Sequence, residues 1–395
     1  RAKEIDRRET VGVIIYETIE STITHGRIKS MLRKKTFRTY EEQIDFLRNR
    51  GIAIEDEKEA IEALSTYSYY SLVNLNKHLY GGLTERQFIG NPSLLDLQLA
   101  HMLNMNFYQV ILKGILYIEA SFKTKLAYLI SREYGVMSRE NIDDPNDNFL
   151  YRGYYEDAHP VSTNTLRSLA GKLRYLQSEQ EEQSYSHHFL LANRQLPPWI
   201  FIHDVEFGIA IQWYNILREQ DKNEVCEKMI WGQTGHRPPN ISIEKAKTFL
   251  AQALQVLREY RNAIAHGQRV FPSDMESSLP DHELFMLLPE GALTKGEYDA
   301  GIGTNDPYAC LLCIVLLMHD PILMMSFLSE LQSQLKFARL MQETVSSAKT
   351  DLYDILSIPP FTMERLIDIS HQRFGEISRC YFDLGKNANT INTTV

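Results

Sequence analysis

Proline and glycine are scarce in this chain, 14 and 20 of 395 residues. Few breakers leave long stretches rich in Leu, Ala, Glu, Gln and Lys, which argues for helices throughout. Cysteine is scarcer still: Cys226, Cys310, Cys313 and Cys380 lack the spacing of a secreted disulfide framework, so a reducing cytoplasm is the expected location. Hydrophobic runs are short. The longest, Ala309–Met318, falls well below the ~20 residues a membrane-spanning helix requires, and no charged-then-apolar signal segment opens the chain. Position 1 is Arg and not Met, so residue 1 is not taken as the native start. Positive charge is also in deficit: 42 Lys and Arg face 51 Asp and Glu, a net charge of −9. Indiscriminate coating of nucleic acid rests on phosphate neutralisation, so any RNA contact must be local. There is no Gly-rich phosphate loop, Ser nucleophile elbow or dinucleotide-binding fingerprint, which disfavours nucleotide hydrolysis and acyl chemistry.

What is present describes a folded globular protein, 44% hydrophobic and 24% charged. A first helix is expected over Glu4–Thr24. Thr39 and Glu42 have capping-box spacing for a helix over Tyr40–Arg50, and another should begin near Asp56. From Ser93 to Tyr134 a helical pattern predicts a central core helix, with Gly114 as a candidate break and Gly135 as its end. Asn141–Pro160 reads as a loop, after which Thr163 can cap a helix to Leu176. Trp199–Leu217, opened by Pro197-Pro198, reads as a buried helix. Ser242 should cap a helix to His266 that Gly267 terminates, followed by a long loop or small β excursion over Gln268–Asp306. Asp306-Pro307 opens a further helix that Pro321 interrupts, and another follows from Ile322 to about Ile355. The expected organisation is therefore all-α: an amino-terminal helical region over 1–90, a helical core over 91–384, and a disordered tail over 385–395.

The segment Arg261-Asn262-Ala263-Ile264-Ala265-His266 is the candidate catalytic constellation. On an ideal helix, positions five apart point ~140° from each other, so Arg261 and His266 converge only where the helix ends, and Gly267 supplies that end. Asn262 shares a face with His266. A histidine moves protons near neutrality, with an unperturbed pKa of ~6.5. A guanidinium clamps a phosphate and offsets charge building in a pentacoordinate transition state. The chemistry this supports is attack of an RNA 2′-hydroxyl on the adjacent phosphate without a metal, and DNA lacks that nucleophile. An Arg and a His at such spacing also occur in many helices with no chemical role.

Basic residues crowd Arg27–Arg50, among them Lys34, Lys35 and Arg38, a candidate RNA-binding patch beside the plainer reading of a solvated surface. Lys123, Lys125 and Arg269 are further candidates for RNA contact. Glu119 could orient Arg261 or His266 from a facing helix, although a surface Glu is the more common case. Cys310 and Cys313 have zinc-like spacing in an apolar helix with no second pair, and His187, His188, His203 and Asp204 lack a repeated spacing. No metal or cofactor is assigned.

The Arg261-to-His266 segment resembles the Arg-x4-His signature of HEPN ribonucleases, and the wider chain resembles the Abi-like family of bacterial abortive-infection proteins, the AbiD and AbiF group, with AbiF nearest. The resemblance runs from about Lys34 to Ile369. It rests on four blocks: Thr39-Tyr40-Glu41-Glu42-Gln43-Ile44 through Gly51; Tyr69-Tyr70; Tyr117-Ile118-Glu119 with Phe122-Lys123-Thr124-Lys125; and Pro198-Trp199 with Phe207-Gly208. Ser71 and His203 depart from the family pattern and receive no role. The resemblance implies an HEPN-type helical bundle with an amino-terminal extension. It also implies a toxin-like or phage-defence endoribonuclease, a homodimer that joins two Arg-to-His motifs, and a small structured non-coding RNA as partner. Two other readings stay open: a non-catalytic protein that holds such an RNA, and a helical adaptor between proteins.

Overall fold

The computed structural model describes residues 37–375 apart from 82–86, 139, 142–143, 145, 179–183, 268–274 and 347–349. The expected helix over Glu4–Thr24, the candidates Lys34, Lys35 and Arg269, Cys380 and the tail lie outside the described residues.

Helix α1 (Tyr40–Arg48) opens on the expected capping box: the Thr39 hydroxyl accepts from the Glu42 N–H, and Glu42 accepts from the Thr39 N–H at 2.9 Å. Helix α2 (Glu57–Tyr69) starts at Asp56, whose carboxylate accepts from the N–H groups of Lys58 and Glu59. It is distorted at Ser68 and continues through a π turn (Tyr70–Asn74) and a 3-10 turn (Lys77–Tyr80). Ile44, Leu47, Ile52, Ala60, Ala63, Leu64, Leu72 and Val73 bury a small core here, closed by Leu94 and Leu97.

Those last two residues belong to α3 (Leu94–Tyr134), a 41-residue helix. Ser93 and Asp96 form its capping box, and Gly135, at φ +80°, ends it. Its length is ~60 Å at 1.5 Å per residue. Phe122, Leu126, Ile111, Ile115 and Ile130 are fully enclosed, and each such side chain contributes roughly 1.5–3 kcal/mol relative to exposure. After α3, β1 (Met137–Ser138) leads through a largely irregular stretch to α4 (Val161–Gln177) and α5 (Tyr185–Asn193), and β2 (Gln195–Leu196) pairs antiparallel with β1. Next come α6 (Pro198–Phe201), α7 (Phe207–Asn215), α8 (Glu219–Trp231) and α9 (Ile243–Ala265). The chain continues with α10 (Asp281–Leu287), α11 (Lys295–Asp299), α12 (Pro307–Leu317), α13 (Pro321–Val345), α14 (Leu352–Leu356) and α15 (Thr362–Phe374). Helices α6, α8, α9, α12 and α13 all pack on α3. The fold is all-α, with one two-stranded ribbon among the described residues. None of its described helices is long and apolar enough to cross a membrane.

Several elements differ from the sequence expectations. The single helix expected over Trp199–Leu217 is broken after a 3-10 turn at Ile202–Asp204, because Val205 and Glu206 are extended. Asp204 there accepts from the Ser184 and Ser186 hydroxyls, and Glu206 pairs with Lys172 at 2.9 Å, tertiary ties that override helical continuation. Thr163 lies inside α4 and does not cap it; Pro160 stands at the cap position. The loop expected after the Arg-to-His motif carries two helices in its described part, α10 and α11. They have seven and five residues, too short for periodicity to register, and α11 is set by the capping box of Thr294 and Glu297. Pro321 opens α13 at its first turn, and that helix ends at Val345 rather than running on to Ile355.

Cys310 and Cys313 are fully enclosed in α12 among Leu, Ile and Val, and burial pushes both thiols well above their ordinary pKa. They pack as small apolar side chains.

At Gly114, α3 packs tightly against α12 and α13. A Cβ there would meet Phe327 Cε2 at 2.8 Å and Ile314 Cδ1 at 2.9 Å, both fully buried. Gly114→Val should lower the unfolding free energy by about 2 kcal/mol or more through overpacking, measured by chemical denaturation; unchanged stability would refute the close crossing. A second expectation concerns pH. Arg365 on α15 donates to Glu297 on α11 at 2.8 Å and holds its carboxyl down at about 2. A depressed carboxylate stabilises the fold above its unfolded pKa and loses that contribution as pH falls toward the folded value. The stability gap between wild type and Glu297→Gln, about 1–2 kcal/mol after allowance for partial exposure, should be constant above pH ~5 and close between pH ~4.5 and ~2. Equilibrium unfolding across pH measures it, and a gap that persists at the acid end would contradict the pairing.

Candidate functional site

Helix α9 buries Phe249, Leu250, Ala253, Leu254, Val256, Leu257 and Tyr260 along one stripe. Ser242 sits at its amino-terminal cap position without a side-chain capping bond. The motif occupies its last turn and is anchored on both sides. Fully enclosed Tyr260 donates its hydroxyl to the Asn305 carbonyl at 3.0 Å. Glu259 accepts from the Ser277 hydroxyl at 2.6 Å and from the Glu276 N–H at 3.1 Å, which fixes the returning chain against the helix. Ala263 and Ile264 pack on the core, which directs Asn262 and His266 to solvent.

The helix ends where the sequence predicted. The His266 N–H still donates to the Asn262 carbonyl at 3.1 Å, the Gly267 N–H turns to the Ile264 carbonyl at 2.9 Å, and Gly267 takes φ +65°. Arg261 is partly exposed. Its Nη1 donates to Asn262 Oδ1 at 3.4 Å, and its Nε stands 3.7 Å from Glu119 Oε2. The structure therefore joins Arg261, Asn262 and Glu119. His266 lies one turn beyond, exposed, with no bonding partner for its ring among the described residues.

Glu119 is no surface residue: it is 7% exposed on the inner face of α3. Its Oε1 pairs with Lys123 one turn later at 2.7 Å, while Oε2 is buried without a hydrogen bond among the described residues. A buried carboxylate with one unsatisfied oxygen is costly unless a cation stands near, and Arg261 supplies one at ion-pair but not hydrogen-bond distance. The guanidinium is thus held electrostatically at its back while its front remains open to solvent. Beside Glu119 and Lys123 lies a cleft of about 440 Å³ that reaches Trp199 and His203.

The other basic candidates do not gather at this point. The Arg38 guanidinium lies over the Phe46 ring at 4.2 Å, in the amino-terminal unit. Lys125 turns to a different cavity and donates to the Ser121 hydroxyl at 2.6 Å. Sequence reasoning missed a polar group at the other end of the motif. Gly267 borders a narrow crevice with Asn76, His101, Asn104 and Tyr108. Asn104 donates to the Ala100 carbonyl at 2.8 Å, yet its Oδ1 is buried with no partner among the described residues. An Asn within a long helical pattern was the available signal, and periodicity alone reads it as surface.

Fold and site define an all-α protein whose Arg-to-His turn is backed by a buried carboxylate on its central helix. The family model described as Abi-like protein matches residues 62–272, more than half of the chain, and the chain belongs to that family. The match includes the paired tyrosines, the α3 block, Pro198-Trp199 and the whole of Arg261–His266, and leaves out the block at Thr39–Gly51. No curated protein and no solved structure matched the chain.

Removing one partner of the Glu119–Lys123 pair strands the other in a poorly solvated place. Glu119→Ala and Lys123→Met should each destabilise by about 1–3 kcal/mol, and the double variant should lose clearly less than the sum. A denaturation cycle with strict additivity would show that the pair carries no coupling.

Proposed function

We propose that this chain is an HEPN-type RNA-binding protein of the abortive-infection kind, closest to the AbiF group, and that it cleaves RNA at Arg261–His266. The observation that carries the reading is the exposed His266 at the end of α9, one turn from an Arg261 whose guanidinium is backed by Glu119 and open to solvent. His266 takes the proton of the ribose 2′-hydroxyl. The resulting oxygen attacks the adjacent phosphorus, the bond from phosphorus to the 5′-oxygen breaks, and that oxygen leaves with a proton from water or from the imidazole of a second copy. Arg261 offsets charge on the non-bridging oxygens as the pentacoordinate state forms, and Asn262 holds the guanidinium. The products carry a 2′,3′-cyclic phosphate and a 5′-hydroxyl. No step draws on a metal. A homodimer would bring two motifs together, and a small structured non-coding RNA is the partner proposed to restrain the site in the cytoplasm.

A second reading has an observation of its own. Arg261 engages Asn262 and Glu119 rather than His266, which suits a phosphate clamp in a protein that holds RNA without cutting it. The two separate in one experiment, in which purified wild type, His266→Ala and Arg261→Ala are incubated with RNA in the presence of a chelator and the ends of the products are mapped. Cleavage by wild type that leaves cyclic-phosphate ends, falls about 10²–10⁴-fold in His266→Ala and vanishes on 2′-deoxy substrate is the expected result. RNA bound intact by wild type and His266→Ala, and released only by Arg261→Ala, would remove the enzymatic reading in favour of the holder.

A further inference from the structure

A cavity of about 910 Å³ lies on the flank of α3 away from Arg261. Its size is near the upper end of small-molecule sites. Lys125 is six residues beyond Glu119, ~240° further round the helix at ~100° per residue. The walls join α3, the end of α8, the turn between α12 and α13, and the end of α15. Tyr117, Trp231 and Phe374 give part of them an aromatic, apolar character.

Two cations face this space without a carboxylate partner among the described residues. Lys125 donates to the Ser121 hydroxyl, and burial pulls its ammonium below the usual lysine range. Arg373 donates through Nη1 to the Val315 and Leu316 carbonyls at the end of α12 and through Nη2 to His319 Nδ1 at 3.0 Å; burial lowers it to about 10. His319 is held neutral, at about 4, by burial, by Arg373 and by Lys125. Its Nε2 lies 2.8 Å from the Met229 carbonyl, which fixes the proton on Nε2 and leaves Nδ1 to accept from Arg373. A Cβ on Gly232 would lie 3.0 Å from that Nδ1, so the glycine lets α8 end against the ring. The acid on the lining is Asp320, exposed and engaged in capping α13 through the N–H groups of Ile322 and Leu323. Arg373 is therefore fixed in place by three neighbouring groups while its charge, with that of Lys125, stays uncompensated in a partly desolvated cavity. Such an arrangement is unfavourable when empty and becomes favourable when an anion enters.

We propose that this cavity binds a small ligand that combines an anionic group, held by Lys125 and Arg373, with a planar or apolar body against Tyr117, Trp231 and Phe374. A ribonucleoside monophosphate is the class that fits. The site is separate from Arg261–His266 and does not depend on whether that motif cleaves RNA.

The test uses the full chain, freed of nucleic acid, in calorimetric titrations with AMP, GMP, CMP and UMP, with inorganic phosphate and with adenosine. At least one nucleotide should bind below the millimolar range, with phosphate and adenosine each at least tenfold weaker. Lys125→Met should lose at least tenfold in affinity without a fall in melting temperature, since it removes a half-buried amine. Lys125→Arg, which keeps the charge, should recover part of the binding. Absence of binding by all four nucleotides, equal binding of inorganic phosphate, or undiminished affinity in Lys125→Met would each overturn the proposal.

Discussion

Burial of the middle of α3 is the constraint on which the rest of the structure depends. A helix of 41 residues with so many enclosed apolar side chains cannot exist alone in water, so it must be covered on nearly every side. The later helices supply that cover, and the close crossing at Gly114 sets how near α12 and α13 come. Several polar residues on this helix are answered by charged or polar partners. Lys113 meets Glu330 of α13 at 2.5 Å, Tyr134 donates to Asp221 of α8 at 2.6 Å, and Glu119 meets Lys123 and Arg261.

The candidate site follows from that same constraint. Glu119 is buried because α3 is buried, and Arg261 comes near it because the apolar stripe of α9 must pack on α3. The end of α9 is then determined by Gly267, which leaves the histidine at the margin between packed helix and solvent. Membership of the Abi-like family and the all-α fold agree with this arrangement, while cleavage of RNA is a reading of its chemistry.

What the sequence disclosed and what it hid divide along physical lines. The boundaries of α1, α3 and α9 were legible because Thr39, Ser93, Gly135 and Gly267 are local signals acting on their own backbone. The Arg-to-His motif was legible for the same reason, as spacing within a single helix. The burial of Glu119 was not, since whether a carboxylate on α3 faces water depends on α9, more than a hundred residues away. The break after Asp204 depends on hydroxyls at Ser184 and Ser186, and the cavity around Lys125 and Arg373 joins residues from opposite ends of the core. Helices as short as α10, α11 and α14 leave no periodic trace; Thr294 and Asp351 cap the latter two, while α10 has no side-chain cap.

The matched segment begins at residue 62, within α2, and the small amino-terminal core does not respect that boundary. Ile44, Leu47 and Ile52 from before it share one apolar cluster with Leu64, Leu72, Leu94 and Leu97 from after it. The packing unit at this end of the chain is therefore larger than the matched segment. The first turns of the central helix pack with the segment that precedes the match, and a chimera joined at its edge would split a single hydrophobic cluster between two sources.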